Sequence, residues 1–170
     1  EQRDEPAQSY RRVLELARTA CDRPGALVVL PESATWPYAW QYHETLRRDL
    51  QELAASSGCA LLLNTAYWTD DDTVYNSVAL VTSRGVTERY DKNHLVPYGE
   101  YVPLRDLLPF VGTLARNAGD FSASDRPTLL DWRGSELGVS ICFEIIFPEE
   151  VAMRVGRGAS VLVTVTNDAW

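Results

Sequence analysis

Residues 137–148 read Leu-Gly-Val-Ser-Ile-Cys-Phe-Glu-Ile-Ile-Phe-Pro, an apolar run that ends on Cys142 and reopens after it. Such a run reads as a buried strand ending where the chain turns toward helix, and it places a thiol at the junction. Backbone N–H groups converge at such a junction, and a following helix dipole favours the thiolate, the nucleophilic form of cysteine. The competing reading is a small buried hydrophobe with no chemistry. The choice depends on what the rest of the chain brings to Cys142.

Working upstream, Ala26–Leu30 is a continuous aliphatic run of the kind buried on both faces of a sheet, and Pro31-Glu32 ends it. Before it, Tyr10, Val13, Leu14 and Ala17 make one helical stripe that stops near Pro24-Gly25. After it, Tyr42, Leu46, Leu50, Leu53 and Ala54 predict a second helix with Gly58 as its stop, and Cys59 to Asn64 predicts the next strand. Val74–Val81 and Val86–Tyr90 flank Ser83-Arg84-Gly85 as a hairpin. From Lys92 to Pro127 periodicity fades, and a long irregular stretch in a compact domain is usually functional. A short helix from Glu149 to Val155 and a strand from Val161 to Thr166 close the chain. Alternating strands and helices predict an α/β domain, in which reacting groups gather beyond the carboxyl ends of strands.

Composition narrows the function. The chain has 170 residues, 45% of them apolar, enough for one domain with a sizeable core. Its net charge of −8 gives no electrostatic support to binding nucleic acid or an anionic surface. No stretch approaches the roughly 20 apolar residues that cross a bilayer, so the chain is expected to be soluble. Cys21, Cys59 and Cys142 are too few and scattered for a disulfide framework or a zinc site. Cys21 and Cys59 can bridge only in an oxidising compartment, and the expectation is that they do not.

Three polar residues stand at or just past strand ends: Glu32, Lys92 and Cys142. A carboxylate can take the thiol proton, and an ammonium can stabilise the oxyanion formed when a thiolate attacks a carbonyl, so the set points to acyl transfer. Taken singly, Glu32 also suits a helix cap and Lys92 an ordinary solvated charge.

Four blocks occur in order: Pro-Glu-Ser at 31–33, Tyr-Asp-Lys-Asn-His-Leu-Val-Pro-Tyr-Gly-Glu-Tyr-Val-Pro at 90–103, Ile-Cys-Phe-Glu-Ile-Ile-Phe-Pro at 141–148 and Thr-Asn-Asp-Ala-Trp at 166–170. Together they resemble a nitrilase (carbon-nitrogen hydrolase) superfamily domain, and within it the apolipoprotein N-acyltransferase family. The resemblance implies an αββα sandwich with Glu32 as general base, Lys92 as oxyanion stabiliser and Cys142 as nucleophile. It also implies a phospholipid acyl donor, a thioester on Cys142, a diacylglyceryl apolipoprotein acceptor, and no cofactor or metal.

Glu100 and Glu144 match positions that the family uses, and support for Lys92 or the thiol proton competes there with simple surface exposure. Phe143 stands where the family has tyrosine, so it lacks a hydroxyl and keeps only an aromatic packing role. Trp36, Tyr38 and Trp40 follow Glu32 and are candidates for acyl-chain contacts, against the alternative that they pack on the second helix. Trp170 is similar to a family tryptophan that lines the site.

The resemblance further implies membrane helices before this segment and further strands after it, and hence an excised, incomplete piece with little activity alone. It places the domain on the outer face of a bacterial inner membrane. Two rival functions remain, a soluble amidase that sends water to the thioester and a non-catalytic domain that binds lipid or a partner.

Overall fold

The computed structural model describes residues 5–101 and 120–167. In chain order the elements are α1 (Glu5–Ala20), β1 (Leu27–Val29), α2 (Glu44–Ser57), β2 (Ala60–Trp68), β3 (Val74–Thr82), β4 (Gly85–Asp91), β5 (Leu130–Trp132), β6 (Ser135–Ile141), a 3-10 turn (Cys142–Ile146), α3 (Pro148–Gly156) and β7 (Val161–Val165). The strands form two sheets, ordered β1-β2-β3-β4 and β5-β6-β7. β1 runs parallel to β2 and β6 parallel to β7, while the remaining pairs are antiparallel.

Side-chain alternation along the strands builds the layers. Leu61, Leu63, Ala79 and Val81 point outward and pack with Tyr10, Leu14 and Ala17 of α1 and Leu46, Leu50, Leu53 and Ala54 of α2. Their neighbours Ala60, Leu62, Val78 and Leu80 point inward and pack with Leu130, Leu137, Val139, Ile141 and Val165 of the second sheet. A one-residue slip of β2 would exchange the two sets, so both buried faces hold its register. On the far side, Gly138 lets α3 approach β6 closely: a Cβ there would lie 3.2 Å from the Arg154 Cβ and 3.1 Å from the Ala159 Cβ. The order helices, sheet, sheet, helix is the αββα sandwich expected.

Local chemistry sets the element ends. The His43 Nδ1 accepts from the Leu46 N–H at 3.1 Å to cap α2, and Gly58 ends it in the left-handed conformation at φ 68°. Tyr42 lies outside the helix, exposed, with its ring edge on Trp68. β2 runs four residues beyond the expected Asn64, because Tyr67 and Trp68 keep pairing with Tyr75 and Val74.

Two expectations need correction. β5 was not expected: it pairs with β6 across Arg133 and Gly134, both at positive φ, which suits a two-residue hairpin turn of the type I′ kind. Cys21 and Cys59 are disulfide-bonded, because the end of α1 and the residue before β2 converge under the helical layer, with Cα atoms 5.7 Å apart.

Candidate active site

The inward faces of the strands change character at one end of the sandwich. Along β2 the inward series runs Ala60, Leu62, Asn64; along β3, in reverse, Leu80, Val78, Asn76; and along β4, Tyr90 and then Lys92. An aliphatic layer thus ends in two amides and an ammonium, all nearly or fully buried. β6 delivers the thiol to the same end, since Ile141 is its last residue and Cys142 follows at φ 53°. A non-glycine residue in the left-handed region costs about 1–3 kcal/mol and turns the chain abruptly, aiming the side chain into the space between the sheets. Glu32 arrives from the loop after β1, where its N–H donates to the Thr166 carbonyl past β7 at 3.3 Å.

The three charged or nucleophilic residues anticipated from the sequence therefore line one cavity of about 390 Å³. Lys92 is 1% exposed, and its Nζ lies 2.9 and 2.8 Å from the two oxygens of Glu100. The second Glu100 oxygen also accepts the Val96 N–H at 2.9 Å, closing the Lys92–Glu100 segment on itself. Cys142 and Glu32 line this cavity together, and the Glu32 charge acts on the thiol. Trp36, Pro37, Tyr38, Ala39, Val96 and Phe121 supply an apolar wall.

Burial pushes the Glu32 carboxyl above the ordinary carboxylate range. The Lys92 charge and the Asn76 hydrogen bond pull it back, and Glu100 adds to the rise. Burial also pushes the Cys142 thiol up, aided by the Glu32 charge, against the Thr166 hydrogen bond, the Lys92 charge and the Phe143 N–H. This corrects the expectation of a dipole-activated thiolate. The turn at Cys142 is a five-residue 3-10 segment, and the Glu32 carboxylate outweighs the Lys92 charge at the thiol, so burial and charge both favour the neutral thiol.

Glu144 occupies a different place from Glu100. It is fully buried and accepts from the backbone N–H of Ile141 at 2.8 Å, Asn93 at 2.7 Å and His94 at 3.0 Å, and from the Tyr90 hydroxyl at 2.8 Å. Its carboxylate therefore pins the turn that carries Cys142 to the segment that follows Lys92. Arg154 supports it from α3 at 3.8 Å and donates to the Tyr90 hydroxyl at 2.8 Å. Burial and the Glu144 charge both push the Tyr90 phenol up, so it remains a donor. Neither position is the surface site weighed for Glu100 and Glu144.

Among the aromatic candidates, Trp36 is 71% exposed at the cavity wall and Tyr38 is half-buried, with its ring against Tyr10 and His43. Trp40 does not reach the cavity. It is 7% exposed, packed in the helix-side core, with its backbone N–H donating to the Thr65 hydroxyl, so its assignment to substrate contact is corrected. Phe143 is exposed and meets the Phe147 ring edge-on at 5.4 Å. Trp170 lies outside the described residues.

Asn64, Asn76, Tyr90 and Arg154 were missed. For the two asparagines a signal existed, since each interrupts the inward series of a strand that is otherwise aliphatic, where an unpartnered amide is costly. Among the described residues, no group of three or more His, Cys, Asp or Glu could hold a metal ion. No described helix is long and apolar enough to cross a membrane. A thiol, a base that can take its proton, a fixed cation and an apolar wall together suit attack on a carbonyl carbon.

The carbon-nitrogen hydrolase family matches residues 2–170. An apolipoprotein N-acyltransferase of Geobacter metallireducens is 40% identical over 172 residues, covering 98% of this chain and 32% of that protein. Another of that name from Methylococcus capsulatus is 40% identical over 146 residues, covering 85% and 29%. The chain thus spans about a third of the length of these curated relatives. A carbon-nitrogen hydrolase of Helicobacter pylori has a TM-score of 0.70 at 16% identity, covering 95% of this chain and 55% of that one. An amidase variant from a Nesterenkonia species, whose active-site cysteine carries a Michael adduct of acrylamide, has a TM-score of 0.69 at 20% identity, covering 96% and 63%.

Proposed function

This chain belongs to the carbon-nitrogen hydrolase family, and from that premise we propose that it carries the acyl-transfer site of an apolipoprotein N-acyltransferase. The observation that carries the reading is the convergence of Cys142, Glu32 and Lys92 in one cavity walled by apolar side chains. Phospholipid is the acyl donor and the amino terminus of a diacylglyceryl-cysteine apolipoprotein is the acceptor.

In the first half-reaction the thiol proton passes to Glu32 as Sγ attacks the ester carbonyl. The Lys92 ammonium and the Phe143 N–H stabilise the oxyanion. The S–C bond forms, the ester C–O bond breaks, and Glu32 returns its proton to the departing lysophospholipid oxygen. In the second half the amine attacks the thioester and its proton goes to Glu32. The C–N bond forms, the C–S bond breaks, and the proton returns to the Cys142 sulfur. The cycle is ping-pong and needs no cofactor or metal. A carboxyl pushed upward by burial suits both directions, because it accepts and releases a proton closer to neutral pH.

Two features support the substrate class and setting. The cavity wall of Trp36, Pro37, Val96 and Phe121 favours an acyl chain over a small polar amide. The bonded Cys21–Cys59 pair favours an oxidising compartment outside the cytoplasm, as for a domain facing the periplasm from an inner membrane.

The test is intact mass. With phospholipid vesicles, Cys142 should gain one acyl group, and Cys142→Ala should gain none. Labelling of one thiol needs no turnover, so even slow chemistry is readable. Adding a diacylglyceryl-cysteine peptide should then move the acyl group to its amine. Release of free fatty acid in its place would indicate an amidase-like hydrolase, and the absence of any adduct would leave a binding domain.

A further inference from the structure

Between Glu32 and Glu100 lies a neutral side chain that touches both. The Asn76 Nδ2 donates to Glu100 Oε1 at 2.7 Å and, more distantly, to Glu32 Oε1 at 3.5 Å. Which way this amide faces is decided one residue further out. The Asn64 Nδ2 donates to the Asn76 Oδ1 at 2.7 Å and to the Ser77 carbonyl at 3.0 Å, so the Asn76 oxygen is occupied and its NH₂ group must face the carboxylates. The Asn64 Oδ1 in turn accepts the Ser33 N–H at 2.9 Å.

Ser33 follows Glu32 directly and sits at φ 57°, a conformation that a serine holds only when its surroundings impose it. The relay thus closes on itself, from the backbone beside Glu32, through two buried amides on adjacent strands, back to the Glu32 carboxylate. Both amides are nearly buried, and an unpaired amide there would cost about 1–3 kcal/mol, so the orientation is strongly held.

We infer that Asn76, oriented by Asn64, is the positioning residue of this site. It holds one oxygen of Glu32, leaves the other for the proton of thiol or amine, and separates Glu32 from Glu100 so that both carboxylates coexist around one ammonium. The inference rests on the acyl-transfer reading only for its consequence in turnover. The groups facing Glu32 are Lys92, Glu100, Asn76 and Cys142. Removing the amide donor removes a contact that favours the charged carboxylate, and placing a carboxylate there adds repulsion as well. Both changes raise the pH at which Glu32 ionises, the second by more.

The experiment is the pH dependence of Cys142 alkylation by iodoacetamide, in wild type, Asn76→Ala, Asn76→Asp and Asn64→Ala, read beside thermal unfolding. The lower inflection of the profile, which reports the first proton lost by the Glu32–Cys142 pair, should rise by roughly 0.5–1 unit in N76A and N64A and further in N76D. Acylation by phospholipid should fall in maximal rate by about 10-fold or more with little change in half-saturation, as for partners that orient a reacting group. Alkylation needs no lipid, so the two readings fail separately. Ordered inflections without wild-type acylation keep this inference and reject the acyltransferase. Coincident inflections in any variant that unfolds like wild type overturn it. Restoration of N76D near wild-type rate at high pH supports it, because a purely structural lesion would not be relieved by titration.

Discussion

Both carboxylate oxygens of Glu100 lie within 2.9 Å of the Lys92 nitrogen, at 2.9 and 2.8 Å, with the lysine side chain 1% exposed. The ammonium that faces Cys142 is therefore held by a partner eight residues along the chain, and the segment between them closes the cavity wall. Glu100→Gln should leave a buried charge with, among the described residues, Glu32 to answer it, at a cost of about 3 kcal/mol. Urea denaturation at neutral pH measures this. A loss below about 0.5 kcal/mol would place the pair among exposed bridges and reject its role in holding Lys92.

Glu32 carries a stability cost that comes from its burial. Burial raises its carboxyl, so the associated stability is fully present below the unfolded value of about 4.3 and is lost as pH rises through the higher folded value. Glu32→Gln should therefore match wild type below about pH 4 and become the more stable protein as pH rises toward neutrality. Unfolding midpoints from pH 3 to pH 8 decide this, and a variant less stable than wild type at neutral pH contradicts the burial argument.

The Cys142 thiol is pushed up by burial first and by the Glu32 charge second. Direct alkylation should accordingly show its upper inflection above the roughly 8.5 of a free thiol, and Glu32→Gln should move that inflection down. An upper inflection below 7 in wild type would restore the thiolate that strand-end position alone implied.

The disulfide closes a loop of sequence separation 38 between the end of α1 and the start of β2. Loop-closure entropy assigns such a bond about 4 kcal/mol, so paired Cys21→Ser and Cys59→Ser substitutions, or reduction, should lower unfolding stability by up to that amount. Equal denaturation midpoints with and without reductant would show that the helical layer is held by packing alone.

Much of this was legible before the structure. The helical stripes of Tyr10, Leu14 and Ala17 and of Leu46, Leu50 and Leu53 are local patterns, and so are the aliphatic strands. Glu32, Lys92 and Cys142 were readable because strand ends in α/β folds collect reacting groups. Trp40 was misread for the opposite reason: its neighbours Trp36 and Tyr38 look the same in sequence, and only the packing of the helical layer on the outer sheet face takes its ring into the core.

By itself the sequence determined the element order, the amphipathic faces and the chemical identity of the three residues, since these depend on spacings of two to four residues and on side-chain type. The tertiary structure alone decided which residues answer one another across the chain. Glu144 reaches Asn93 and His94 from 51 and 50 residues away, and Asn64 reaches Ser33 from 31. Such contacts come from the register of strands and the closure of two sheets over one another, where burial decides whether a polar group is a surface charge or a fixed partner. That burial also set the ionisation of Cys142 and Glu32, which no local pattern carries.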